Sequence, residues 1–244
     1  NMGWSVAMRD EAVIAGSPSW ATGSTSSRGA VYAFSNGVQR QKIQKTSAQN
    51  SDQFGRKVMM QKYSGNSRII FIASKGVSET GDSSIGKTTG QGVVDVYYVS
   101  NYQSGQYSKT TQIQSPDAST NGGNGEALDF GLSMSGCGFG TSNQFFLLGD
   151  PSYEGGNGPN HSVGNVYLYK GTGGSNFSPT TAGSVALAEF EVPTAEKVSW
   201  GYYGEDVSIS GDGGTIAIGQ PGGHNASLGA VSYTHLTLPT ISCV

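Results

Sequence analysis

One pattern recurs four times along this chain, and it constrains the fold more than any other feature. Each copy has a leading glycine, a short alternating run, a second apolar run, a loop, and a third run that opens with glycine; the third copy reads "FGLSMS", "QFFLLGDPS" and "GNVYLY". The leading glycines lie roughly 50 to 75 residues apart, at Gly3, Gly55, Gly131 and Gly201. Such a period predicts one small sheet per copy, each burying its faces against its neighbours.

The runs have the residues of β-strands. "RIIFIAS", "QFFLLG", "NVYLY" and "TIAIG" are rich in β-branched and aromatic residues, and "QRQKIQKTS", "YSKTTQIQS" and "VALAEFEVP" leave room for a fourth strand. The 38 glycines among 244 residues, with only 13% charged residues, disfavour long helices. We therefore predict an all-β chain of four-stranded units, which is the architecture of β-propeller blades.

Charge and hydropathy exclude two kinds of partner. The formal net charge of -3 at pH 7 gives no basic surface of the kind that nucleic acid requires, and we interpret Arg40, Lys42 and Lys45 as a solvated strand face. No apolar run approaches the roughly 20 residues that a membrane-spanning helix needs. No charged-then-apolar leader opens the sequence, so Asn1 is expected to lie inside a longer protein. We predict no nucleic-acid partner and no membrane-spanning segment in this sequence.

Two short motifs within the repeat carry a family resemblance. An "FG" element is present as Phe54-Gly55 and Phe130-Gly131-Leu132-Ser133; a "GAP" element is present as Ala15-Gly16-Ser17-Pro18, Leu148-Gly149-Asp150-Pro151 and Ile218-Gly219-Gln220-Pro221. In these motifs, and over Gly3 to Ala230, the chain resembles the FG-GAP repeats of the integrin α-subunit β-propeller and its relatives in microbes and protists. Complete family members close a ring of about seven blades. The resemblance therefore implies an incomplete ring of about four, over residues 3–53, 54–129, 130–199 and 200–230.

The C-terminal residues break this character abruptly. Residues 231–240, "VSYTHLTLPT", are similar residue by residue to the translation of a transposase-adapter sequence used in DNA library preparation. We therefore interpret residues 231–244 as a non-native tail and exclude them from the functional argument. The natural C-terminus is then missing, and foreign residues complete the last strand if anything does. Without Cys243, Cys137 has no partner for an internal disulfide, so the cysteines leave the redox compartment open.

The segments that bind calcium in many integrin-type repeats are changed here. The family pattern is a D-x-D-x-D-G loop whose carboxylates bind Ca²⁺. The equivalent segments offer Asp10 and Glu11 in the first copy, Asp212 alone in the fourth, and no carboxylate in the other two. A single carboxylate in a glycine turn is explained as a residue that bonds its own backbone. We predict no cofactor and no calcium site of the integrin type.

No arrangement of residues points to catalysis. The histidines outside the tail, His161 and His224, lie in Gly/Asn-rich loops, and no spacing places a nucleophile beside a base. Cys137 lies in the glycine turn "SGCGFG" with no neighbouring His or Lys to activate it. We predict no catalytic residues, and that this chain is not an enzyme.

The loops between the second and third runs are the best candidates for function. They read "SPSWATGSTSSR", "SKGVSETGDSSIGKTTGQ", "DPSYEGGNGPNHSV" and "QPGGHNASL", and equivalent places in the repeat predict that they gather on one face. Rigid aromatics among Ser, Gly and Asn are typical of recognition surfaces. The candidate partner-binding residues are Trp20, Tyr153, His161 and His224; the alternative is that these loops are solvated connectors.

The resemblance implies a non-catalytic binding or adhesion module, extracellular or at the cell surface, with a protein or glycan partner. Sequons at Asn160, Asn176 and Asn225 permit secretion and glycosylation, although a chain this rich in Asn, Ser and Thr has about that many by chance. Because fold does not fix function, two alternatives stay open. One is an accessory propeller of a secreted hydrolase whose catalytic part lies outside this sequence, and the other is a purely structural repeat array.

Overall fold

Four antiparallel sheets follow one another along the chain in a computed structural model of the protein. The structure describes residues 2–23, 26–46, 50–75, 92–116, 129–141, 143–153, 162–175, 177–179, 186–192, 197, 199–225 and 228–235. Over these ranges the chain is all-β and contains no α-helix, as predicted. Accordingly, no helix with the length and apolar character needed to cross a membrane occurs in them.

The first two sheets have four strands each, paired in chain order. Sheet I consists of β1 (Val6–Arg9), β2 (Ala12–Ser17), β3 (Ala30–Ser35) and β4 (Val38–Ile43). Sheet II consists of β5 (Lys57–Lys62), β6 (Arg68–Ser74), β7 (Val93–Val99) and β8 (Ser108–Gln114).

The other two sheets vary this plan. Sheet III contains β9 (Ser133–Cys137), β10 (Gln144–Asp150) and β11 (Asn165–Thr172), and the free edge of β11 pairs with two short strands, β12 (Ser178–Pro179) and β13 (Ala188–Glu191). Sheet IV contains β14 (Asp206–Ile209), β15 (Thr215–Asn225) and β16 (Leu228–His235). The segments predicted as fourth strands form β4, β8 and β13.

The second strands of sheets II and III show why these residues form sheets that stack. "RIIFIAS" in β6 and "QFFLLGD" in β10 are buried at every position. Since successive residues face opposite sides of a sheet, both faces of these strands are covered. In contrast, β8 with "SKTTQIQ" is mostly exposed or half-buried, as expected for an outer edge strand.

The sheets pack in chain order. Ile14 and Ile72 belong to a hydrophobic cluster shared by sheets I and II, Phe71 and Phe146 to one shared by sheets II and III, and Ile218 to one shared by sheets III and IV. The first strands β1, β5, β9 and β14 of successive sheets lie next to one another. In the part of the chain that the structure describes, this stack does not close into a ring.

A glycine with a positive φ angle lies just before the first strand of every sheet. The φ angles are 90°, 91°, 79° and 86° for Gly3, Gly55, Gly131 and Gly204. L-residues with a side chain disfavour this region. The N–H group of each glycine donates a hydrogen bond to a carbonyl oxygen of the second strand in its own sheet. The acceptors are Gly16, Ala73, Gly149 and Gly219, in that order, at 2.9, 3.1, 2.8 and 2.9 Å.

The same glycines allow neighbouring sheets to approach closely. A Cβ atom on Gly55, Gly131 or Gly204 would overlap a third-strand valine of the preceding sheet, which is Val31, Val94 or Val166 respectively. The aromatic residues before these glycines, Phe54, Phe130 and Tyr203, are buried. The aromatic–glycine pair is therefore the element that joins one sheet to the previous one.

The leading glycine of the fourth copy is Gly204, and the prediction of Gly201 was wrong by three residues. Gly204 makes the repeated hydrogen bond to Gly219, and Tyr203 forms a parallel bridge with Gly164 just as Phe54 does with Gly29. The segment "WGYYG" contains two aromatic–glycine pairs, and strand register alone selects the second. Trp200 is consequently a surface residue with 53% of its area exposed.

Sheet IV crosses the predicted start of the non-native tail. β16 pairs with β15 through Val231 opposite Gly219 and on to His235 opposite Thr215. β15 itself runs on to Asn225, so part of "QPGGHNASL", predicted as a loop, is strand. Pro221, which has no N–H to donate, lies where the register shifts between Gln220 and Asn225.

Cys137 differs from its predicted state. It is the last residue of β9, it is buried, and it is disulfide-bonded. The other cysteine of the chain, Cys243, belongs to the segment that the sequence predicts to be a non-native tail, and it lies outside the described residues. The expectation of a free turn cysteine was therefore wrong.

Candidate functional site

The connection after the second strand starts with the same turn in sheets I and III. The N–H groups of Trp20 and Tyr153 donate to the carbonyl oxygens of Ser17 and Asp150 at 3.0 and 3.2 Å. The carbonyls of the two aromatics then accept, at 2.9 and 3.0 Å, from the glycine that opens the third strand, Gly29 or Gly164. The two predicted residues thus hold equivalent places at one end of their sheets, which we call the loop end. Sheet II lies between these two sheets, so the structure does not bring the two aromatics together.

Trp20 is held by a lysine of its own sheet. The Nζ atom of Lys42 in β4 lies 3.5 Å from the centroid of the Trp20 ring and 5.8 Å from that of Tyr32. An ammonium group over an aromatic face is attracted by the ring's quadrupole. The half-buried Trp20 is therefore fixed against the outer strand of sheet I.

The two predicted histidines add no described side chain to the loop end. His161 lies outside the described residues. The backbone of His224 belongs to β15, in a strand where the sequence predicted a loop.

A group of polar side chains, which we call the polar cluster, joins sheets II and III at the loop end. It consists of Arg56, Lys75, Asp129 and Ser152. The Arg56 guanidinium is hydrogen-bonded to Asp129 Oδ1, and Lys75 Nζ lies 4.0 Å from the same oxygen. Ser152 Oγ donates to Asp129 Oδ2 at 2.7 Å. Asp129 thus accepts hydrogen bonds from Ser152 and from Arg56, the residue after Gly55, and forms an ion pair with Lys75. A partly buried charge with such partners holds those segments in one geometry.

Glu205 extends the polar cluster toward sheet IV. Partial removal from water raises the pKa of its carboxyl, and the negative charges of Asp129 and Asp206 raise it further, against the opposing effects of Arg56 and Lys57. Two acidic groups, Asp129 and Asp206, and two basic groups, Arg56 and Lys57, therefore lie within electrostatic reach of Glu205.

A small cavity lies beneath the polar cluster. Its volume is about 10 Å³, and its lining includes Arg56, Ser74, Asp129 and Phe130. The hydroxyl of Ser74 is buried without a hydrogen-bond partner among the described residues. A volume of this size is enough for one water molecule and too small for an organic ligand.

Trp200 is an exposed aromatic at the loop end that was not among the residues predicted from the sequence. It lies three residues before Tyr203, as Ser51 lies before Phe54, and both Ser51 and Trp200 have positive φ angles, of 71° and 64°. Its ring packs at 6.3 Å between centroids against Tyr202. The position of a residue in the repeat could have identified this site from the sequence, because residues that flank each aromatic–glycine pair lie at the loop end. Arg56, Asp129 and Glu205 also flank such pairs.

The carboxylates of the predicted calcium-loop positions have other partners. Asp212 Oδ1 accepts from Ser210 Oγ and, at 3.0 Å, from the N–H of Gly214; these hydrogen bonds lower the pKa of Asp212. Asp10 accepts from buried Arg68 at 2.6 Å. Among the residues that the structure describes, no group of three His, Cys, Asp or Glu side chains could hold a metal ion.

The buried carboxylate of Asp95, between sheets I and II, shows that the prediction of a solvated basic strand face was wrong for Lys45. Asp95 in β7 is fully buried; Lys109 Nζ lies 2.6 Å and Lys45 Nζ 3.9 Å from its carboxylate oxygens. Gln112 donates a third contact at 2.9 Å. Lys45 is itself almost buried, so it belongs to a junction between sheets and not to a solvated face.

Comparison with known proteins gives no independent assignment. The chain matches no protein-family model, and no curated protein matches it.

Proposed function

We propose that this chain is an FG-GAP-type β-propeller fragment that acts as a non-catalytic binding or adhesion module, in an extracellular or cell-surface protein. Its partner would be a protein or a glycan. The observation that carries the proposal is the repeated junction, in which an aromatic–glycine pair of one sheet packs on the glycine-opened third strand of the sheet before it. That junction supports an interpretation of the sheets as consecutive blades.

The loop end supports a binding role. A rigid stack presents loops from successive sheets at one end, and the polar cluster ties the connections of sheets II and III together through Asp129. At the same end of the sheets, exposed Trp200 offers a flat ring that packs against Tyr202. An aromatic surface among adaptable polar groups is suited to recognition of a glycan or a protein.

The experiment is a binding screen with variants at the loop end and a control variant at the opposite end of a sheet. The immobilised chain is probed with a printed glycan array and with purified extracellular-matrix proteins. We expect saturable binding to a member of one class, weakened at least tenfold by Trp200→Ala and by Arg56→Ala. Val38→Ala is the control, because Val38 is 53% exposed but opens β4 at the other end of sheet I. Equal binding by all four proteins would overturn the assignment of the site, and absence of binding to both classes would overturn the proposed function.

A further inference from the structure

A buried hydroxyl group without a partner lies beside the polar cluster. Ser74, the last residue of β6, is 3% exposed, and its Oγ atom makes no hydrogen bond to any of the described residues. A buried polar group of this kind costs stability and is rare in folded proteins, and a bound molecule or ion is one explanation for it. Ser74 lines the small cavity together with Arg56, Lys75 and Asp129. The hydroxyl therefore marks the cavity as a candidate binding site.

The side chains around this cavity have more hydrogen-bond donors than acceptors. Asp129 Oδ1 faces Arg56 and Lys75, and its Oδ2 accepts from Ser152, so both oxygens of the carboxylate are already engaged. A guanidinium and an ammonium group each carry several N–H donors and no acceptor, and the Ser74 hydroxyl adds a further donor. The cavity is therefore suited to an acceptor oxygen from a ligand.

The charges at the cavity favour an acceptor that is negative. Arg56 interacts electrostatically with Asp129 and with Glu205 of sheet IV, so its charge is largely compensated. Lys75 Nζ lies 4.0 Å from Asp129 and its side chain is 37% exposed, which leaves its charge the less compensated of the two. A hydrogen bond to an ionised acceptor is roughly twice as strong as one between neutral groups.

The size of the cavity limits what can enter it. A volume of about 10 Å³ admits one oxygen atom, so the rest of a ligand has to stay outside. A carboxylate meets this condition because it is planar, and one of its oxygens can enter while the other stays at the rim. The exposed ammonium group of Lys75 is available to that second oxygen.

We propose that this cavity is the subsite for a carboxylate group of an acidic glycan, with Ser74 and Arg56 donating to one oxygen and Lys75 to the other. The carboxylate of a uronic acid is bonded directly to the sugar ring. It therefore loses less conformational freedom on binding than the carboxylate of a flexible acidic side chain in a protein partner. The inference rests on the proposed function, because it names the class of partner that the loop end binds.

The test measures binding of three probes to the full chain by biolayer interferometry. The probes are an oligomer of galacturonic acid, the same oligomer with its carboxylates reduced to primary alcohols, and an oligoglutamate peptide of equal length. We expect the acidic oligomer to bind about tenfold or more tightly than its reduced form, because only the carboxylate makes charge-assisted hydrogen bonds. It should also bind more tightly than the peptide.

Two variants remove the donors one at a time. Ser74→Ala should weaken binding of the acidic oligomer about tenfold through the lost hydrogen bond, and Lys75→Gln about threefold because its charge is partly exposed. Without ligand, Ser74→Ala should be at least as stable as wild type, since it removes an unpaired buried hydroxyl. The matched control is Lys62→Gln, because Lys62 also pairs with an aspartate, Asp10 at 3.5 Å, but lies at the opposite end of sheet II. It should bind like wild type.

Equal binding of the acidic and the reduced oligomer overturns the carboxylate subsite while leaving the proposed function in place. Equal losses in Lys75→Gln and Lys62→Gln also overturn it, because they show an effect of net charge alone. Tighter binding of the peptide overturns the assignment to a glycan. Absence of binding to all three probes overturns the inference, and the glycan array and matrix proteins then decide the proposed function separately.

Discussion

At the scale of single residues, the glycines before the first strand of each sheet are subject to two separable constraints, a positive φ angle and close contact with the preceding sheet. Gly131 has φ of 79°, and a Cβ would overlap Val94 of sheet II. Gly3 has the same type of backbone, and no heavy atom of the described residues lies within 4 Å of a Cβ built on it. Strain at a positive φ and steric conflict between sheets can therefore be measured apart, on the same residue type at the same repeat position.

We expect Gly131→Val to destabilise the protein by about 3 kcal/mol or more, because it adds overpacking between sheets to backbone strain. Gly3→Val should cost about 1 kcal/mol, from strain alone. Denaturant unfolding of both variants and the wild type gives the comparison. Equal losses for the two variants would contradict the junction as described.

The raised pKa of Glu205 predicts a dependence of stability on pH. The folded state binds the Glu205 proton more tightly than the unfolded state, whose pKa is near the ordinary value of 4.5. The resulting stabilisation is complete below that value and is lost as pH rises through the folded pKa. Glu205→Gln should therefore become more stable relative to wild type as pH rises, by less than about 1 kcal/mol because the side chain is solvent-exposed. Thermal unfolding from pH 3 to pH 8 measures the trend, and a gain that is the same at all pH values would count against it.

At the scale of the strand and sheet, hydrogen bonds from one first strand to the next hold sheet IV on sheet III. Ser135 Oγ accepts from the N–H of Ile209 at 3.1 Å, and Ser133 Oγ donates to the carbonyl of Gly204 at 2.6 Å. Just before β1, Ser5 Oγ accepts from the N–H of Val58 at 3.1 Å. Serines on or just before the first strand thus bind the backbone of the following sheet.

We expect Ser135→Ala to destabilise the protein by about 1 to 2 kcal/mol, because it leaves the Ile209 amide without its partner. The effect should be local. Hydrogen exchange should accelerate in β14 and β15, while protection in sheet II stays unchanged. Uniform acceleration across all sheets would show instead that the chain unfolds as one unit.

Much of this architecture could be predicted from the sequence, and the failures have a common cause. Runs such as "RIIFIAS" specify strands by composition, and the fourth-strand segments carry enough β-formers to be recognised. The choice between Gly201 and Gly204 could not be made, because it depends on pairing with Gly219 across the sheet. The burial of Lys45 depends likewise on Asp95 in another sheet, and the polar cluster on Asp129 meeting residues from distant positions. Local composition predicts elements, whereas contacts between sheets decide the site.

At the scale of the whole molecule, each sheet packs on its neighbours in the sequence, and this arrangement determines how perturbations spread. In a linear stack, stability is approximately the sum of each sheet and of nearest-neighbour junction terms. The junction of sheets I and II contains the buried Asp95 with Lys45, and the junction of sheets III and IV contains Ser135 with Ile209. Sheets II and III separate these two sites, so they share no side-chain contact.

Asp95→Asn should cost about 3 kcal/mol, because it leaves the buried Lys45 facing no compensating charge. Combined with Ser135→Ala, its effect should add to within about 0.5 kcal/mol, since distant sites in a nearest-neighbour stack do not couple. Ser133→Ala with Ser135→Ala is the positive control, because both residues belong to one junction and should couple more strongly. The measurement is a pair of double-mutant cycles from denaturant unfolding. Strong coupling between Asp95 and Ser135 would mean that the first and last sheets communicate through a closed arrangement, whereas additivity is what an open stack of four sheets requires.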